Sequence, residues 1–326
     1  MTGEQLAAVI SATLQIDLQS EIERISRFIH AEVIRRGSHG VVIGLSGGLD
    51  SSVCAFLCAR SLPPQQIHLF SLPERDSNAY IHENAHLVAE ALSLPLMERD
   101  LTELFDWLGL YEKVPPELAA NRHMLERSIK ILGRFSQTPA LYPWAQQFAF
   151  GQRRGFFAQV MRRWLWPYAS ITESFIFGKI RARSLVLGLK AMLLDCLLIC
   201  TTDRSEMTVG FYDPHGDGVG DIAPLIHLYK TQIRRLAQAL ELPGEILAQP
   251  SSADLAGGLP NETAIGLPYE RLDRALAGIS LGWSDAEVSR AAGLRRTMVR
   301  AVRSACQVAD VRRNMPVSLA DEDKAG

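Results

Sequence analysis

At 326 residues, with 47% hydrophobic and 21% charged side chains, the chain is large enough for one big domain with an insertion and too apolar for global disorder. A formal net charge of -2 gives no global attraction to nucleic acid, so contacts to phosphate must be local. The five cysteines, at 54, 58, 196, 200 and 306, form no CxxC pair and no His/Cys ligand cluster. Together with the lack of a signal peptide or of an apolar run long enough to span a bilayer, this predicts a reduced, cytoplasmic chain without structural zinc or a transmembrane segment.

The spacing of Ile16, Leu18, Ile22, Ile25, Phe28, Ile29, Val33 and Ile34 predicts one amphipathic helix over 4–36, ended at Gly37. Val41 to Leu45 is a β-branched apolar run of the kind that is buried on both faces of a parallel sheet. A glycine-rich turn follows and opens a helix through Val53 to Ala59. A second strand over 66–72, a helix over 78–92 and a short third strand over 94–97 continue the alternation. Such alternation predicts an α/β fold with a doubly wound, Rossmann-like parallel sheet and a ligand at the carboxyl ends of its strands.

From about 104 to 170 the rhythm breaks, and the segment is aromatic and basic, with Tyr142, Trp144, Arg153, Arg154, Arg162, Arg163, Trp164 and Tyr168. A mostly helical insertion with its aromatics inward is expected, a surface for a partner protein or a membrane-facing patch being the alternatives. The rhythm returns with a helix over 180–194, a strand over 196–200 and a helix over 229–240. Helices over 268–278, 284–292 and 294–309 precede a frayed tail over 316–326. The organisation expected is a single domain over 1–326 carrying the insertion 104–170.

The turn itself carries the chemistry. In Ser46-Gly47-Gly48-Leu49-Asp50-Ser51-Ser52, the glycines let backbone N–H groups approach a ligand, and the amides of the following helix start attract an anion. Asp50 would repel phosphate oxygens unless a divalent cation lay between them, so Mg²⁺ is implied. No Gly-Lys-Ser or Gly-Lys-Thr follows the glycines, so the loop is not a Walker motif. An ordinary strand-to-helix turn capped by serines is the plain alternative. The whole string from Val41 to Ser52 favours an enzyme that splits ATP.

With that loop placed, the chain resembles the ammonia-dependent NAD synthetases of the N-type ATP pyrophosphatase superfamily. The matching segments run in the family's order: the loop, Arg181-Ala182-Arg183, Thr201 through Glu206, Gly210-Phe211-Tyr212, Gly216 through Ile222, Leu228 through Gln232, Pro250 through Leu255, and Gly266 through Tyr269. The resemblance implies a two-step reaction. A carboxylate, deamido-NAD in the family, attacks the α-phosphorus of ATP to give an acyl adenylate and pyrophosphate; ammonia then displaces AMP. It also implies Asp50 and Glu206 as Mg²⁺ ligands, with Lys230 and the hydroxyls of Ser46, Ser51 and Ser52 on the phosphates beside Gly47 and Gly48. Leu72, Arg181, Thr201 and Ser252 are implied at the rest of the ATP site, and Phe211, Asp217 and Asp221 at the acceptor. A homodimer is implied as well. No attached glutaminase is expected, since Thr2 rather than a cysteine follows Met1. Ammonia is therefore expected free or from a separate glutaminase, for which the insertion is a candidate dock.

The acceptor half departs from the family. Cys200-Thr201-Thr202-Asp203-Arg204 replaces a glycine-containing segment, Phe177 stands for an asparagine, Ala264 for an acidic residue and Val311 for a histidine. These changes leave room for a relative that amidates another carboxylate. A catalytically silent, partner-binding relative is the third reading; against it, Asp50, Glu206 and Lys230 are three charges with no need to converge in a silent protein.

Overall fold

The computed structural model describes residues 1–112, 156–252 and 260–313. Four parallel strands, β1 (Val41–Gly44), β2 (Ile67–Ser71), β3 (Leu96–Glu98) and β4 (Leu197–Leu198), lie in the order β3-β2-β1-β4. The register sets Val41 against Ile67 on one side and against Leu197 on the other. Side chains alternate across the sheet. Val41, Ile43, Leu69 and Leu197 face one core, while Val42, Phe70 and Leu198 face a second. Both faces are therefore covered, as the unbroken apolar run of β1 requires.

The first core is closed by α2 (Leu18–Arg36), α3 (Leu49–Ser61) and α4 (Ala79–Ala91) through Ile25, Ile29, Val53, Leu57 and Val88. The predicted single helix over 4–36 is in fact two, α1 (Gly3–Leu14) and α2. The chain extends at Gln15, and Asp17 caps α2 by accepting from the Ser20 amide at 2.8 Å. The two halves serve different cores. Leu6 and Ile10 of α1 pack with Ala277 and Ala291 near the C-terminus, whereas α2 packs on the sheet, and no straight helix reaches both.

After α5 (Thr102–Trp107), one helix, α6, runs from Phe156 to Leu194. The expected helix over 180–194 is thus only its last part, and the end of the predicted insertion is continuous with it. Residues 142–154, with the densest aromatic and basic pattern, lie outside the described residues, as do the tail over 316–326 and Ala253-Asp254-Leu255. Ala191 of α6 covers the second face of the sheet. A Cβ on Gly44 would come within 2.6 Å of Leu187 Cδ1, so the close approach of α6 to the end of β1 depends on that glycine. The side of α6 carrying Leu185, Leu189, Met192 and Leu193 is exposed.

Short α7 (Arg204–Val209), α8 (Lys230–Ala239), α9 (Gly244–Ala248) and α10 (Asn261–Ile265) follow. The C-terminal helices α11 (Tyr269–Ser280), α12 (Asp285–Ala292) and α13 (Arg296–Arg313) build a separate core with Val209, Tyr229 and Ile265. Among the described residues, no helix is long and apolar enough to cross a membrane.

Candidate active site

The carboxyl ends of β1, β2 and β4 open into a cavity of about 250 Å³, where the alternation of strands and helices placed a ligand. Its wall near β1 is the glycine-rich turn. Gly47 has φ of 76°, a left-handed conformation that a side chain would strain, and Gly48 begins α3. Ser46 Oγ and Ser51 Oγ lie 3.1 Å apart, and Ser51 also donates to the Gly48 carbonyl at 3.1 Å. Both serines line the cavity. Ser52 does not; fully buried, it donates to the Gly48 carbonyl at 2.7 Å and shapes the turn from behind.

At one end of the cavity the first turns of α3, α7 and α8 converge. Lys230 is fully buried, and its Nζ lies 2.7 Å from Asp50 Oδ2, 2.7 Å from Asp203 Oδ2 and 3.0 Å from Glu206 Oε1. Burial disfavours the ammonium, but the three carboxylates outweigh it and hold the Lys230 pKa well above its usual value. Burial pushes the Asp50 carboxyl up; Lys230 pulls it back in part and Glu206 adds to the rise. Asp203 moves further in the same direction for the same reasons.

Further side chains hold these charges in place. Tyr269 donates its hydroxyl to Glu206 Oε1 at 2.6 Å, and Asn261 Nδ2 donates to the same oxygen at 3.0 Å. Asp273, buried on α11, accepts from Ser205 Oγ at 2.6 Å and from the Thr231 amide and hydroxyl at 2.9 and 2.7 Å. It therefore clamps the helix starts that carry Glu206 and Lys230. Asp50 Oδ1, in contrast, is buried with no hydrogen-bond partner. An orphaned carboxylate oxygen beside two further carboxylates is a set of hard donors suited to Mg²⁺.

Asp50, Glu206, Leu72, Thr201, Ser252 and Asp217 line the cavity together with Ser46, Gly48 and Ser51. Other predicted residues are placed differently. Arg181 lies outside the cavity lining and pairs with Asp213 through Nε at 2.6 Å; Arg183, two residues on, lines the cavity and donates to the Leu72 carbonyl at 3.0 Å. Asp221 accepts from the Leu198 amide at 2.9 Å and meets Arg36 at 3.3 Å, closing the edge of β4. Phe211 is half-buried and packs against the C-terminal core. Phe177 of the acceptor-side departures lies 5.8 Å from the Arg181 guanidinium, measured to the ring centre.

Sequence reasoning missed Asp203 as a partner of Lys230, and also Asn261 and Asp273. Asp203 did leave a signal: it caps α7 by accepting from the Glu206 amide at 2.8 Å, an aspartate three residues before a glutamate. Also unread was the buried network at the β2 to α4 turn, in which Lys179 of α6 meets Glu74 at 2.7 Å and Asp76 at 2.9 Å while Tyr111 donates to Glu74 at 2.6 Å.

A parallel sheet with a glycine-rich turn and an ammonium among three carboxylates at its carboxyl edge defines a nucleotide-binding α/β enzyme of the ATP pyrophosphatase kind. The sequence pattern of the family described as NAD synthase matches residues 21–121 and 174–316, and the chain belongs to that family. It is 33% identical over 269 residues to the NH(3)-dependent NAD(+) synthetase of Coprothermobacter proteolyticus, covering 80% of this chain and 85% of the relative. The protein of the same name from Thermotoga maritima is 31% identical over 254 residues, 78% of this chain and 85% of its own length. Among solved structures, an NMN synthetase from Francisella tularensis superposes with a TM-score of 0.65 at 18% identity, covering 93% of this chain and 99% of that one. An NH3-dependent NAD synthetase from Campylobacter jejuni gives 0.62 at 22% identity, with 93% and 100% covered. At those identities the structures speak for the fold.

Proposed function

We infer that the chain is an ATP-dependent, ammonia-using NAD synthetase that adenylates deamido-NAD, releases pyrophosphate and forms the amide with loss of AMP. The observation that carries this reading is the buried Lys230 ammonium held by Asp50, Asp203 and Glu206 beside the Ser46 to Ser51 turn. Curated relatives covering about four-fifths of the chain bear the name of that activity.

The residues supply positioning and charge. The Ser46 and Ser51 hydroxyls, which bond to each other, Ser51 also to the Gly48 carbonyl, can rotate to donate to a polyphosphate in the cavity, beside the amides of the α3 start. Lys230 keeps its proton throughout, so its charge is a fixed counterion to the negative charge that grows on departing pyrophosphate. Leu72, Thr201, Arg183 and Ser252 border the remaining nucleotide volume, and Asp217 the acceptor side. Asp50 and Glu206, joined by Asp203, would hold Mg²⁺. When bound, the ion neutralises phosphate charge and polarises the phosphoryl oxygens. In the second step ammonia attacks the acyl carbon, the C–O bond to AMP breaks, and one proton of the nitrogen is given up as the amide forms.

The test is direct. Purified protein with Mg-ATP, ammonium and deamido-NAD should release pyrophosphate and form NAD in equal amounts. Pyrophosphate release only with some other carboxylate would select the relative that amidates a different acceptor, the reading favoured by Phe177, Ala264 and Val311. A single domain fits the way α1 and α11 to α13 pack together and take in Val209 of α7 and Tyr229 at the start of α8. A homodimer fits the exposed apolar side of α6, and a cytoplasmic setting fits five cysteines without a disulfide among them. Docking of a separate glutaminase on the insertion is tested by deleting 142–168; unchanged activity and assembly would remove that role.

A further inference from the structure

Apart from the Asp50 cluster, one other group of side chains among the described residues brings three metal-capable atoms together: His82 and His86 of α4 and Glu98 of β3. The histidines are four residues apart, one turn along a single helix face. Glu98 Oε1 lies 3.2 Å from His82 Nε2 and 2.9 Å from His86 Nε2. All three donor atoms fall within 4.8 Å of one another, and the two rings stand nearly perpendicular, at 84°, with centroids 4.9 Å apart.

This is the spacing of a coordination polyhedron. With zinc-to-donor bonds of about 2.0–2.1 Å, the edge of a tetrahedron is about 3.3 Å, close to both nitrogen-to-oxygen separations here. Two imidazoles and one carboxylate form a donor set of borderline softness, matched to Zn²⁺ rather than to Mg²⁺, which takes oxygen. The local sequence His82-Glu83-Asn84-Ala85-His86 has the His-Glu-x-x-His spacing that puts two imidazoles on one face of a helix. His82 Nδ1 is buried and unpartnered, so its ring is oriented from the Nε2 side alone. Of the three, His82 also lines the nucleotide cavity, so the group adjoins that cavity and differs in chemistry from the all-oxygen cluster around Lys230.

We propose that His82, His86 and Glu98 form a second metal site, specific for Zn²⁺ or a similar transition ion, that links α4 to β3 at the edge of the nucleotide cavity. Three protein donors leave a fourth position for water or a ligand atom. None of its three residues belongs to the Asp50, Asp203 and Glu206 cluster.

The experiment uses full-length protein carrying Asp50→Asn, which weakens the oxygen cluster, stripped with chelator and then titrated with Co²⁺ and Zn²⁺. One equivalent of Co²⁺ should give the intense visible bands of tetrahedral coordination and be displaced by Zn²⁺ but not by excess Mg²⁺. Zn²⁺ should also raise the thermal midpoint. Adding His86→Ala or Glu98→Gln, both at exposed positions, should weaken Zn²⁺ binding at least about tenfold and abolish the midpoint shift. Absence of stoichiometric binding, or binding unaltered in both variants when both are folded by circular dichroism, would overturn the proposal. The two variants differ in element, so loss of fold in one leaves the other to decide.

Discussion

At the scale of single residues, the ATP half of the site follows from local chemistry. Gly47 and Gly48 shape a turn, α3 starts right after Gly48 with Ser51 in its first turn, and all of it lies within a dozen positions, so the sequence displays it whole. What a linear reading lacks is which charges meet. Arg181 and Arg183 look alike in sequence, yet one turns to Asp213 and the other to the Leu72 carbonyl, a choice made by the rotation of α6 over the sheet. Replacing Asp50 by Asn is expected to abolish pyrophosphate release, and full activity of that variant would refute the metal assignment. Lys230→Met should lower kcat by about 10²–10³, since it removes a fixed charge from the leaving-group side. Arg183→Ala should raise KM for ATP about tenfold or more while Arg181→Ala acts less, a difference measurable by initial rates.

At the scale of elements, strands and most helices are legible because their periods are clean. Two failures have different causes. Helices α1 and α2 read as one because both keep a helical period, while the break between them exists only because they serve separate cores. Helix α6 reads as short because aromatic and basic residues obscure its period before residue 180. Its Lys179 ties the β2 to α4 turn in place. Burial raises the Glu74 carboxyl, but hydrogen bonds from Lys179, Tyr111 and the Asp76 amide outweigh that and leave it below its ordinary value. Its contribution to stability is thus present above the unfolded pKa and is lost as pH falls through the folded one. Lys179→Met strands a buried carboxylate and should cost about 3–5 kcal/mol in urea unfolding at neutral pH. The sign then inverts: with its pKa raised, Glu74 makes that variant relatively more stable as pH is lowered. A variant that loses stability on acidification in parallel with the wild type would disprove the role given to Lys179.

At the scale of the whole molecule, the exposed Leu185, Leu189, Met192 and Leu193 lie on one long helix, and the homodimer proposed above would bury this apolar ridge against a second copy. Leu189→Glu with Met192→Glu should shift the protein from dimer to monomer in light scattering; a wild-type monomer would rule the assembly out. The ammonium-carboxylate cluster has a thermodynamic side as well. Three carboxylates around one ammonium carry a surplus of two negative charges when ionised, the charge of a single divalent cation. Burial of Asp50 and Asp203 raises their pKa values, so protons can stand in for that cation, at the expense of an incompletely matched interior. The cluster proposed to serve catalysis is then a folding ligand site as well. Mg²⁺ alone, at a hundredfold excess over its dissociation constant, should add about 2.7 kcal/mol to the unfolding free energy without any nucleotide, and a chelator should take it away.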